Sequence, residues 1–107
     1  MSAVAYTVVA TFEVSAVAEE WLGWLRTGHI AEVLAGGATD AEVVELDSPP
    51  RTFEVRYHFP SRAAFARYEQ EHAPRLRAEG LQRFPLERGV SYRRSVGMVA
   101  ATFPTGR

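Results

Sequence analysis

The sequence has no cysteine, no lysine and no asparagine. Without cysteine there can be no disulfide, no thiol nucleophile and no thiolate metal site, a composition that fits a reducing cytoplasm, the compartment expected here. Without lysine there is no Schiff-base amine and no phosphate-loop ammonium. All twelve basic residues are arginine, which makes arginine the sole permanent cation able to hold an anionic ligand. No apolar run approaches the roughly 20 residues that cross a bilayer. The opening MSAVAYTVVATFEV has no basic region ahead of its apolar stretch and carries Glu13 inside it, so it reads as a strand and not as a signal peptide. No membrane partner is expected. A surplus of one charge is also missing: the net charge is -1 without a long single-sign run, which argues against an electrostatic nucleic-acid footprint. With 47% hydrophobic residues in 107, the expectation is one domain over residues 1–107, large enough for a single core and too small for two.

Residues 4–14, VAYTVVATFEV, are rich in the types that suit a pleated surface and predict a first strand. Ser15 as N-cap, Glu19 and Glu20 in the early turns and Gly36-Gly37 as a stop outline a helix over about 16–35. Gly23 and Gly28 lie inside it, each costing roughly 1 kcal/mol against Ala, and mark a close approach or a break near residue 28. DAEVVELD (40–47) and RTFEVRYHF (51–59) alternate around the Pro49-Pro50 turn and predict a hairpin. Phe53, Val55, Tyr57 and Phe59 share one face of its second strand, and Thr52, Glu54, Arg56 and His58 the other. A second helix follows Ser61, kinked or restarted at Pro74, and residues 88–101 supply the fourth strand. The order β-α-β-β-α-β predicts an α+β, ferredoxin-like fold, a four-stranded antiparallel sheet with two helices on one face. The uncovered face must then be solvated, bind something or pack on a second copy.

At about 3.6 residues per turn, Leu22, Leu25, His29 and Val33 form one stripe flanked by Trp21 and Ile30, and Phe65, Tyr68, His72 and Leu76 form another. Both helices thus place an aromatic residue, then a histidine four or five positions on, then a leucine: Trp24, His29, Leu34 and Tyr68, His72, Leu76.

The stretches WLGWLRTGHIAEVL and YEQEHAPRLRAE, with the intervening hairpin and a basic-aromatic last strand, resemble a small bacterial family of unknown function, DUF4286. Its members share WLxWLRTxHIxxVL and YxxEHAPRLRAE, and the resemblance covers nearly the whole chain. It implies the dimeric α/β-barrel superfamily, in which two ferredoxin-like protomers pack sheet against sheet and ligand sites commonly lie between sheet and helices. That superfamily includes cofactor-free monooxygenases, lactone isomerases, polyketide cyclases and haem enzymes, so the resemblance implies an architecture and a pocket, not a reaction. The usual family sequence has a second histidine after RAE where this chain has Gly80, which argues against carrying over a strict metal role.

Two readings follow. In the first, the chain is a homodimer, joined through its sheet face, that binds a small apolar or aromatic metabolite and acts on it as a cofactor-independent monooxygenase, isomerase or cyclase. His29 or His72 is then the acid/base, since imidazole titrates near neutrality, and Tyr68 orients it. Trp21, Trp24, Leu25, Phe53, Tyr57 and Phe65 line the site. In the second, the chain is a non-catalytic structural or regulatory homodimer whose histidines bond backbone carbonyls and whose aromatic residues are core. No metal or other cofactor is expected, because three histidines without HxH or HxxxH spacing give no ligand set. Arg56, Arg93 and Arg94 could take an anion but are expected to pair with Glu54 or Glu45 across the sheet. His58 is expected at a dimer interface or in water. Glu71, Arg75, Arg77 and Glu79 are expected to form a solvated, ion-paired helix face. The polar sheet face lacks the stacking aromatics of an RNA platform.

Overall fold

The computed structural model describes residues 2–104. Four strands, β1 (Val4–Phe12), β2 (Asp40–Glu45), β3 (Arg51–Phe59) and β4 (Val90–Met98), form one antiparallel sheet in the order β2-β3-β1-β4. The first crossover comprises α1 (Ser15–Trp24), a π-helical turn (Leu25–His29) and α2 (Ile30–Ala35). The second comprises α3 (Arg62–Glu71), α4 (Ala73–Arg83) and a 3-10 turn at Leu86–Arg88. The chain therefore has the ferredoxin-like α+β fold, with each predicted helix divided in two. Among the described residues no helix is long and apolar enough to cross a membrane.

Strand register sets the two faces. Pairing Tyr6 with Tyr57, Val8 with Val55 and Ala10 with Phe53 aligns the apolar positions of the two central strands beneath the helices. Two aromatic clusters fill most of that layer. At one end Phe12, Trp21 and Phe53 pack with ring centroids 5.1–5.9 Å apart; at the other Tyr6, Phe59, Phe65 and Tyr68 pack at 5.0–6.3 Å. Burying each such ring contributes about 1.5–3 kcal/mol, so these clusters dominate the stability of the layer. The opposite face is mostly polar, with Thr7 and Thr11 from β1, Thr52, Glu54, Arg56 and His58 from β3, and Ser91, Arg93 and Ser95 from β4 beside the apolar Ala5 and Val9.

Several local expectations are corrected. Val14, not Ser15, occupies the N-cap of α1 and supplies no side-chain bond; the Ser15 hydroxyl instead accepts from Arg51 at 2.9 Å. Arg51 also pairs with Glu19 and Glu45, tying α1 to the hairpin. The strands stop short of their predicted ends at Phe12, Glu45 and Met98. The buried stripe of the first crossover runs through Trp21, Leu25 and Val33, leaving Leu22 half-buried. Ser61 does cap α3, accepting from the Ala64 amide at 3.1 Å. The second crossover breaks at His72, and Pro74 sits in the first turn of α4, where its missing N–H costs no helical bond.

Candidate active site between the sheet and the helices

A cavity of about 70 Å³ lies between the two aromatic clusters. Val8 and Val55, paired at the centre of the sheet, form its floor, because two short β-branched side chains there leave room that aromatic neighbours do not fill. Trp21, Trp24 and Leu25 wall it from the first crossover, Tyr68, Leu76 and Gly80 from the second. Exposed Leu81 and Arg94 stand on its lining as well. Gly80 leaves space on α4 for the Trp24 indole: a Cβ there would stand 3.3 Å from Trp24 Cη2.

His29 is delivered to this cavity by the π turn. The Ile30 amide donates to the Leu25 carbonyl, a five-residue bond that widens the helix by one residue. Gly28 leaves helical geometry inside the same turn, with φ 177° and ψ -36°. Residues five apart thereby come together, and the imidazole stacks on the Trp24 ring with centroids 4.2 Å apart and planes inclined by 21°. His29 Nδ1 is buried without a protein hydrogen-bond partner. Burial pushes the imidazole pKa down, against the opposing pull of Glu32 and Glu79, and so favours the neutral ring. No hydrogen bond joins it to Tyr68; the indole, not the expected phenol, holds its plane.

The polar lining is cationic and phenolic. Arg77, expected in solvent, turns inward, where it donates to the Tyr6 hydroxyl at 3.3 Å and pairs with Glu69. Its Nε is buried without a protein partner. Arg94 projects from β4 onto the helix side of the sheet. Burial raises the Tyr68 phenol to about 12, with the nearby Tyr6 adding to the shift, and pushes Tyr57 higher still. The Tyr92 hydroxyl is committed to the Phe84 carbonyl at 2.9 Å. Both remaining phenols, Tyr57 and Tyr68, thus stay protonated at neutral pH.

The cavity brings together His29, Tyr68, Trp21, Trp24, Leu25 and Tyr57 among the residues singled out from sequence. It does not include His72, Phe53 or Phe65. The ring of His72 packs against Gly36, where a Cβ would meet its Cγ at 3.1 Å, and lies parallel to Tyr68 at 6.3 Å. Phe53 and Phe65 belong to the two aromatic clusters. A second groove, about 170 Å³, runs between β2 and the first crossover and is lined by Leu22, Ile30, Val43 and Phe53 with Arg26 and Glu45. Arg56 pairs with Glu54 and with Glu42 on the open face; Glu45, opposite Phe53, lies on the helix side of the sheet, where it pairs with Arg51. Arg93 and Arg94, expected to pair across the sheet, have no carboxylate within 4 Å among the described residues. His58 bonds Asp40 at 2.8 Å on the open face. No three His, Asp or Glu side chains converge as a metal site among the described residues. Tyr6, Arg77 and Gly80 were not marked by sequence as site residues. The alternation of β1 carried a signal for Tyr6; nothing in the local pattern distinguished Arg77 from its solvated neighbours.

Solved structures share this fold at low identity. A dimeric ferredoxin-like protein from an uncultured marine organism superposes with a TM-score of 0.72 at 14% identity, covering 95% of this chain and 99% of that one. SnoaB, a cofactor-independent oxygenase from Streptomyces nogalater, gives 0.68 at 12% identity, covering 97% and 99%. A DABB family protein with a ferredoxin-like fold from Mesorhizobium loti gives 0.63 at 19% identity, covering 94% and 100%. No curated protein shows significant sequence similarity to the chain. Residues 4–96, which include both crossovers, the π turn and nearly all of β4, match the model of a domain of unknown function, and the chain belongs to that family, DUF4286.

Proposed function

We propose that this protein binds a small flat metabolite in the cavity between sheet and helices and uses His29 as a general base. The observation that carries the reading is the buried, unpartnered Nδ1 of a neutral imidazole on a cavity wall. A structural histidine of this burial would be expected to spend that nitrogen on a backbone carbonyl. A neutral ring held in plane by Trp24 can accept a proton from an acidic hydroxyl or C–H, and Arg77 and Arg94 can stabilise the anion left behind. Proton removal of this kind opens cofactor-independent oxygenation, isomerisation and cyclisation alike, and the likeness to SnoaB favours the first. The functional unit is a homodimer, which the dimeric description of the marine ferredoxin-like protein supports, and its interface is the open sheet face. His72 acts as packing between the crossovers.

One observation favours the non-catalytic reading: about 70 Å³ is well below the roughly 300 Å³ common for ligand pockets. Indole, a neutral flat probe, separates the two. Added to the 15N-labelled protein, it should shift the Trp24 side-chain N–H and the His29 ring resonances saturably, and Gly80→Leu, which fills the cavity, should abolish the shift while the protein stays folded. Absence of a saturable shift in the wild-type protein would favour the non-catalytic dimer.

A further inference from the structure

Resting on that reading, we infer that the ligand is an aromatic carboxylate, one ring bearing an anionic group received by Arg94 and Arg77 and a hydroxyl received by His29. Among the described residues, two buried side-chain polar atoms lack a protein hydrogen-bond partner, His29 Nδ1 and Arg77 Nε, and both residues line this one cavity. Arg77 Nε–H can only donate, so what it meets must be an acceptor. The matching group for His29 Nδ1 is a hydroxyl, which can donate to one imidazole tautomer and accept from the other.

Charge gives the second, independent constraint. Among the described residues no Asp or Glu lines the cavity. Arg51, Arg56, Arg75, Arg77 and Arg88 are each paired with a carboxylate, Arg77 with Glu69. Arg94 has no such partner among the described residues, although the chain as a whole carries a net charge of -1. An exposed cation at the edge of a carboxylate-free, aromatic-walled cavity selects for a ligand that brings the anion itself. The walls supply the other half of the selection. Trp21, Trp24 and Tyr57 offer flat apolar surface, and a cavity of about 70 Å³ limits the inserted part to a small ring.

Three single-ring probes test this: benzoate, phenol and 3-hydroxybenzoate, titrated at pH 7 and followed by the Trp24 side-chain N–H. 3-Hydroxybenzoate should bind tightest and benzoate next, with phenol weaker than benzoate by roughly tenfold, the increment of a charge-assisted contact. Arg94→Met, at an exposed strand position and with thermal stability as the control for folding, should bring benzoate to the phenol level and leave phenol unchanged. Arg77→Lys, which keeps the charge and removes Nε, should weaken both carboxylates but not phenol. Benzoate binding no tighter than phenol, or Arg94→Met weakening both equally, overturns the inference while a positive indole result leaves the proposed function standing. If neither indole nor any of the three probes binds, both fail together.

Discussion

Trp24 with His29 and Tyr68 with His72 are the same two kinds of side chain on the two crossovers, yet one histidine faces a cavity and the other a glycine backbone. The first pair is five residues apart and is joined by a π turn, whose Ile30-to-Leu25 bond brings the rings to 4.2 Å. The second pair is four apart on ordinary helix and its rings stay 6.3 Å apart. The second helix then breaks at His72, where φ is -123°, because Pro74 cannot donate the bond that would continue α3. His72 is thereby left at a junction packed on Gly36, at the end of α2. Residue type did not separate the two histidines. The kind of helix break did, an inserted residue in one case and an interruption in the other.

The contrast can be broken by mutation. The largest effect should come from Tyr68→Ala, since this buried ring packs on Tyr6, Phe59 and Phe65 and its loss should cost about 3–5 kcal/mol. Trp24→Ala, at a half-buried ring, should cost clearly less in the same thermal denaturation series; equal losses would mean that the cavity side is packed as firmly as the other. Next, Gly36→Ala should destabilise by about 1–3 kcal/mol, because its Cβ would stand 3.0 Å from Tyr68 Cδ1 and 3.1 Å from His72 Cγ. The His72 share of that cost should vanish in a His72→Ala background while the contact with Tyr68 Cδ1 remains, and a double-mutant cycle measures the coupling.

A smaller effect concerns pH. Burial holds the folded-state pKa of His29 below the ordinary 6.5, so the unfolded chain takes up its proton first as pH falls. His29 therefore contributes stability above pH 6.5 that is lost progressively down to the folded-state pKa. His29→Gln should flatten the dependence of the urea midpoint on pH between 7.5 and 5.5; an unchanged slope would show that the ring is not buried in its neutral form. The smallest effect should be that of Gly80→Ala. Its gain in helix propensity, roughly 1 kcal/mol, is opposed by the 3.3 Å approach to Trp24, leaving a net change within about 0.5 kcal/mol. It should still shift the Trp24 and His29 resonances, whereas His72 should not respond.

The sheet and its covered face were legible because strand alternation is a local property. Phe53, Val55, Tyr57 and Phe59 alternate cleanly with polar neighbours, and all four are buried. Trp21, Trp24, Leu25, Tyr57, Tyr68 and His29 were legible as site candidates because large side chains on a helix or strand stripe converge wherever two layers meet. Phe53 and Phe65 carried the same signature and went into the clusters instead, since neighbouring rings took up their surface. Arg77 was read as solvent-facing by analogy with Arg75, which does form exposed pairs with Glu32 and Glu79. Its inward turn depends on Tyr6, 71 positions away, and no helical pattern records that.

By itself the sequence determined the order of elements, the apolar face of each central strand, the absence of thiol and lysine chemistry and the positions of the helix breakers. Those follow from side-chain period, backbone dihedral limits and inventory, which act over a few residues. Only the tertiary structure decided that the break near Gly28 is a π turn, that Val8 and Val55 leave a gap between two aromatic clusters, and that Arg77 and Arg94 border it beside His29. Each depends on strand register and on packing between residues remote in the chain, where the free energy of filling or leaving space is settled by all the neighbours together.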